Sequence, residues 1–267
     1  MRKHFAILLF VTAMTGLANA QTSPNITLTR FDCGSSNAPI DVRAFSDTYA
    51  HNGVKIQLVF SCYLIKHGDD YMVWDAGNAM GGQGAPKVSL VDQLARLKLT
   101  PAQIKFIGVS HYHGDHIGQV GSFPAATLLI GSRDWDVLTK GPNPMANPAP
   151  FAPWITGGGK VEPVAQDKDV FGDGSVMMLN MPGHTPGHHS LLVRLKNKGP
   201  VLLTGDLSHF RENYDGDGVT SFNTDRAETL ASLDRFKKIA RNLKATVIIQ
   251  HDERDLAKLP AFPTAAD

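Results

Sequence analysis

The chain has 267 residues, 42% of them apolar, and a formal net charge of +1 from 26 basic and 25 acidic side chains. That length and apolar content suffice for one sizeable core. The balanced charge, with no basic run and no acidic tail, gives no support to nucleic-acid binding or to electrostatic attachment to a membrane.

In chain order, residues 1–20 read as a signal peptide. "MRKH" is a positive start, "FAILLFVTAMTGL" an apolar core and "ANA" a small-residue cleavage signal, placing the cut after Ala20. The apolar run is short of the ~20 residues that a bilayer span needs. The expected organisation is a signal peptide at 1–20 and one domain at 21–267. The expected location is exported, periplasmic or secreted, with no membrane attachment after cleavage. An oxidising compartment allows Cys33 and Cys62 to form a disulfide. Two buried thiols are the equal alternative.

"NITLTRFDCG", "VKIQLVFSCYLIKH" and "YMVWDAG" read as strands, the last two joined by a turn at Gly68-Asp69-Asp70. "SLVDQLARLKL" sets Leu90, Val91, Leu94 and Leu97 at helical spacing behind a Ser89 cap. "IKFIGVS" and "ATLLIGS" are further strands. Residues 141–159 are rich in Pro and Gly yet carry Met145, Phe151 and Trp154. Loops of that length are usually functional or disordered, and large apolar side chains argue against disorder, so one reading is the wall of a substrate pocket and the other a plain surface linker. "SVMMLNMPGH", "HHSLLVRLK" and "GPVLLTGD" are strands. "TDRAETLASLDRFKKIARNLK" is an amphipathic helix with Thr224 as a plausible cap, followed by the strand "ATVIIQH". Strands mixed with amphipathic helices predict an α/β layered domain.

The chemistry concentrates in "HYHGDH", where His111, His113, Asp115 and His116 lie within six residues. In an extended segment His111 and His113 point the same way and can share one ion. Gly114 permits a turn that aims Asp115 and His116 at a second ion. Each ion then needs further ligands, and three apolar strands end in one: His184, Asp206 and His251. His188 follows closely but enters a strand, which suits a supporting role. No Gly-x-Ser-x-Gly elbow and no Lys-containing phosphate loop occurs.

"HYHGDH", "GHTPGH", Gly205-Asp206 and His251 together resemble the metallo-β-lactamase superfamily, from about Phe31 to Pro263. "FDCG", "CYLIKH…YMVWDAG" and "HDERDLAKLPAFP" are similar to its N-acyl homoserine lactonase branch. The resemblance implies an αββα sandwich holding two Zn²⁺ ions. It implies one zinc on His111, His113 and His184, the other on Asp115, His116 and His251, and Asp206 shared by both. The activity implied is opening of the lactone ring by a hydroxide bridging the metals, with Asp115 carrying a proton. The branch usually has a tyrosine three residues after the shared aspartate. Here that residue is His209, which can still donate a hydrogen bond toward the substrate carbonyl. Met145, Phe151 and Trp154 are expected to contact the acyl chain. The expected partner is a small acyl lactone or similar ester, and homodimer formation is left open. The same scaffold serves organophosphate triester hydrolases resembling methyl parathion hydrolase, general esterases and β-lactamases. Asp206 weighs against the last, because true β-lactamases of the superfamily lack the bridging carboxylate.

Overall fold

Strand formation follows the period of two. In the computed structural model, which describes residues 25–141 and 143–267, most strands are buried on both faces, so their sequences read as nearly continuous apolar runs. The signal-peptide expectation lies outside the described residues. The strands are β1 (Ile26–Ser35), β2 (Ile40–Asp41), β3 (Lys55–Ile56), β4 (Val59–His67), β5 (Asp70–Trp74), β6 (Ile104–Gly108), β7 (Thr127–Gly131) and β8 (Val161–Val164). They continue with β9 (Lys168–Asp169), β10 (Val176–Asn180), β11 (His189–Leu195), β12 (Gly199–Leu203) and β13 (Thr246–Ile248). One sheet runs β1-β4-β5-β6-β7-β8, the other β13-β12-β11-β10-β9, and β2 pairs with β3. Gly68-Asp69 makes the expected turn between β4 and β5.

Alternation sorts the side chains into layers. Tyr63 and Ile65 of β4 face the second sheet, where they meet Leu191 and Val193 of β11 and Val201 and Leu203 of β12. Cys62 and Leu64, one residue out of step, face the outer layer with Leu90 and Leu94 of α1 (Leu90–Arg96). On the far side Leu192 and Leu202 pack under the longest helix among the described residues, Arg226–Leu243, against its Leu233, Phe236 and Ala240. The result is the expected helix–sheet–sheet–helix sandwich. Among the described residues no helix is long and apolar enough to cross a membrane.

Ser89 caps α1 as expected, accepting from the Asp92 amide at 3.1 Å. The cap of the long helix is Asp225, not Thr224: its carboxylate accepts from the Glu228 amide at 2.8 Å. The Thr224 hydroxyl donates to the His184 carbonyl instead. Cys33 and Cys62 form a disulfide between β1 and β4, with Cα atoms 5.8 Å apart.

Candidate metal centre

Five chain segments converge at one edge of the two sheets. β6 runs out through Ser110 to His111 and His113, and α2 (Gly114–Ile117) is the single turn that carries Asp115 and His116. The β10–β11 turn holds His184, while Asp206 and His251 follow β12 and β13. Gly205 has φ +58°, and a Cβ there would press within 2.6 Å of His188 Nε2, so the "GD" pair is a geometric requirement.

The seven donors form two clusters that share Asp206. In the first, His111 Nε2 and His184 Nε2 lie 2.9 and 3.0 Å from His113 Nδ1. Asp206 Oδ2 lies 3.5 Å from His111 Nε2 and 3.2 Å from His184 Nε2. In the second, Asp206 Oδ1 is 2.7 Å from His251 Nε2 and 3.0 Å from His116 Nε2. Asp115 Oδ2 stands 3.7 Å from both of those nitrogens. A tetrahedral zinc with bonds of about 2.0–2.1 Å holds its donors about 3.3 Å apart, so both sets have the right size.

The outer hydrogen bonds fix which nitrogen of each imidazole faces inward. His116 Nδ1 donates to Asp75 Oδ2 at 2.9 Å, His184 Nδ1 to Asn223 Oδ1 at 2.8 Å and His251 Nδ1 to the Val59 carbonyl at 2.9 Å. Their Nε2 lone pairs therefore point at the Asp206 carboxylate. Lone pairs facing a carboxylate at this range repel, and a cation between them turns each contact into a bond. His188 underpins the arrangement: Nδ1 donates to the Met181 carbonyl at 3.0 Å, and Nε2 accepts from the Asp206 amide at 2.9 Å. The sequence reading missed Asp75 and Asn223. The one signal for Asp75 was an aspartate closing the apolar strand "YMVW", where it takes φ +58°.

The electrostatics agree. Burial works to raise Asp206, but His116, His251, His209 and His111 around it hold it well below the usual carboxylate range. Burial would lower His116, yet Asp206, Asp75 and Asp115 raise it well above its ordinary value. Burial, with His184 alongside, lowers His113 to about 4, leaving the neutral imidazole that a metal needs. The site attracts positive charge: His111 and His113 of the first cluster keep free lone pairs, while the acidic neighbours of the second favour a proton on His116 and His251 that a metal ion would displace.

Four other expected residues lie elsewhere or act differently. His209 is buried against Phe45, with ring centroids 4.6 Å apart. Its Nε2 stands 3.1 Å from Asp206 Oδ2, so its N–H is spent on the shared carboxylate and not aimed at a substrate carbonyl. Phe151 and Trp154 do not wall a pocket. Both are buried in the outer core layer, and Trp154 Nε1 donates to the Ala126 carbonyl at 3.0 Å. Met145 is 56% exposed on the loop. Phe151→Ala is therefore expected to cost about 3–5 kcal/mol in chemical denaturation while leaving the preference among acyl chain lengths unchanged. A changed preference at unchanged stability would return Phe151 to the substrate.

Comparison with known proteins agrees with this geometry. The metallo-β-lactamase superfamily model matches residues 59–251. The N-acyl homoserine lactonase AttM of Rhizobium radiobacter is 30% identical over 245 residues, covering 79% of this chain and 89% of the relative. The solved structure of a quorum-quenching N-acyl homoserine lactone lactonase shares the fold, with a TM-score of 0.78 at 22% identity over 91% of this chain and 98% of its own. AidC, a dizinc quorum-quenching lactonase solved in complex with a product, matches with a TM-score of 0.69 at 18% identity over 91% and 90%. With the matched span running from the strand that receives His251 to His251 itself, this chain belongs to the metallo-β-lactamase superfamily.

Proposed function

We infer that this protein is a two-zinc hydrolase that opens the lactone ring of N-acyl homoserine lactones. The observation that carries the reading is the pair of donor clusters joined by Asp206. The choice of substrate is supported by the lactonase relative, of which the chain covers 89%. Zinc held by His111, His113, His184 and Asp206 and by Asp115, His116, His251 and Asp206 would lower the pKa of a bound water to about 7 and polarise the ester carbonyl.

The chain's own groups do the rest. Asp206 gives one oxygen to each cluster and so sets their spacing. His209 and His188 hold that carboxylate by its side chain and its amide. Asp115 has 28% of its side chain exposed, far more than Asp206 beside it. It is the group able to reach both solvent and substrate. It takes the proton from the attacking water and returns it to the ring oxygen as the acyl C–O bond breaks. Export of the chain is part of the same reading, supported by the Cys33–Cys62 disulfide.

A hydrolysis panel tests the substrate. An N-acyl homoserine lactone should be opened at least about tenfold faster than an aryl ester, a phosphotriester or a β-lactam, a margin of ~1.4 kcal/mol. Activity should vanish with chelator and return with zinc. A phosphotriester turned over fastest would replace lactone with phosphotriester in this reading.

A further inference from the structure

Asp134 is a fully buried carboxylate with no role in the reaction described above and, among the described residues, no lysine or arginine paired with it. It sits in the first turn of α3 (Ser132–Thr139), just past the end of β7. Its oxygens are spent on the turn that carries His184. Oδ1 accepts from the Gly187 amide at 2.6 Å, and Oδ2 accepts from the Thr185 hydroxyl at 2.8 Å. The main-chain amide of Tyr112, between His111 and His113, adds a weaker stabilisation of the same carboxylate. Contact between the two segments is close enough to require glycine on both sides. A Cβ on Gly131 would collide with the Gly187 carbonyl, and one on Gly187 would come within 2.5 Å of the Asp134 amide.

Burying a carboxylate without a cation is costly, and here burial pushes the group up to about 7. Such a group needs several donors in fixed positions to stay in place. The donors it bonds, Thr185 and Gly187, lie in the turn that follows His184 of the first cluster. Ring orientation at His184 is already set from the opposite side by Asn223. The backbone through "HTPG" is held at His184 by the Thr224 amide and hydroxyl, and at Thr185 and Gly187 by Asp134.

We propose that Asp134 is a positioning residue for the first metal cluster, holding the His184 turn in register with His111 and His113, so that its loss weakens one metal site and spares the other. This rests on the two-metal reading. Outer partners of this kind are worth about 10–100-fold in metal affinity. The isosteric Asp134→Asn keeps an acceptor for the Gly187 amide, but its nitrogen can only donate, so Thr185 must turn its hydroxyl round to accept and the negative charge facing the turn is lost.

The test is zinc stoichiometry and affinity, measured by competition with a chromophoric chelator on the purified full-length protein. His113→Ala and His251→Ala mark loss of the first and second site. Wild type binding two zinc ions per chain is the control. If it binds none, the metal reading fails before Asp134 is at issue. The expected result is that Asp134→Asn keeps one ion at wild-type affinity and binds the other about 10–100-fold more weakly, as a milder form of His113→Ala. Thr185→Val, which removes one of the bonds, should fall between it and wild type. Equal weakening of both ions, or two ions held at wild-type affinity, overturns the proposal. If Asp134→Asn does not fold, Thr185→Val decides on the same criterion.

Discussion

Asp206→Ala is expected to cut lactone hydrolysis by more than about 10²-fold, beyond what loss of an outer partner costs, and to leave the chain short of its two metals. The reason is arithmetic at one carboxylate. Among the described residues Asp206 alone belongs to both donor clusters. Without it the five imidazoles of His111, His116, His184, His209 and His251 lose the negative charge that each now faces. Both metal positions lose a ligand and the charge that offsets the ions. The backbone there is held independently, since the Gly205 amide donates to Gln250 Oε1 at 2.9 Å and the Asp206 amide is bonded to His188. The variant should therefore fold, and metal analysis beside the rate assay is informative. An Asp206→Ala protein that retained two zinc ions and wild-type turnover would remove the basis of the proposed function.

Breaking the Cys33–Cys62 disulfide should destabilise the fold about as much as removing the Phe151 side chain. The bond closes a loop of 29 residues, which in the chain-entropy account is worth about 3–4 kcal/mol. For a domain of this size that corresponds to a midpoint roughly 10 °C lower. The expected result is such a drop for Cys33→Ser/Cys62→Ser and for wild type under reductant. Protein recovered from outside the cytoplasm of an export-competent host should begin at Gln21 and show no free thiol. Two titratable thiols with an unchanged melt would refute both the bond and its contribution. The position of the bond also matters. Cys33 lies against Gly77, where a Cβ would come within 2.5 Å of the Cys33 Cβ. The Gly77 carbonyl accepts from Gly118, and neighbouring Ala76 donates to the His116 carbonyl. One residue from Cys62, the Ser61 carbonyl accepts from Gln250, whose amide also donates to Asp75.

The layers and the ligands were legible because each announces itself locally. Apolar runs mark strands, a 3.6 spacing marks the long helix, and all seven donors follow strands in sequence. What failed to show was set by contacts distant along the chain. Asp75 meets His116 41 residues away, Asn223 meets His184 39 away, and Asp134 meets Thr185 51 away. Each is a single polar residue in no pattern. The cap slipped by one residue because Thr224 and Asp225 are both good caps, and the Thr224 hydroxyl was already engaged by His184. Phe151 and Trp154 misled because composition tells that a Pro- and Gly-rich segment is irregular but not which way its aromatics turn. Here they turn into the core. His209 occupied the expected position, but with its ring directed at Asp206.

The first sheet's edge supplies His111, His113, Asp115 and His116, and the second supplies His184, Asp206 and His251, so each cluster draws on both sheets. Ions bound there recognise only the assembled sandwich, and an ion present at a thousand times its dissociation constant stabilises that assembly by about 4 kcal/mol. In a cell, a difference of that size decides how many copies escape proteolysis. Metal supply is therefore expected to raise this protein's resistance to proteolysis as well as its rate.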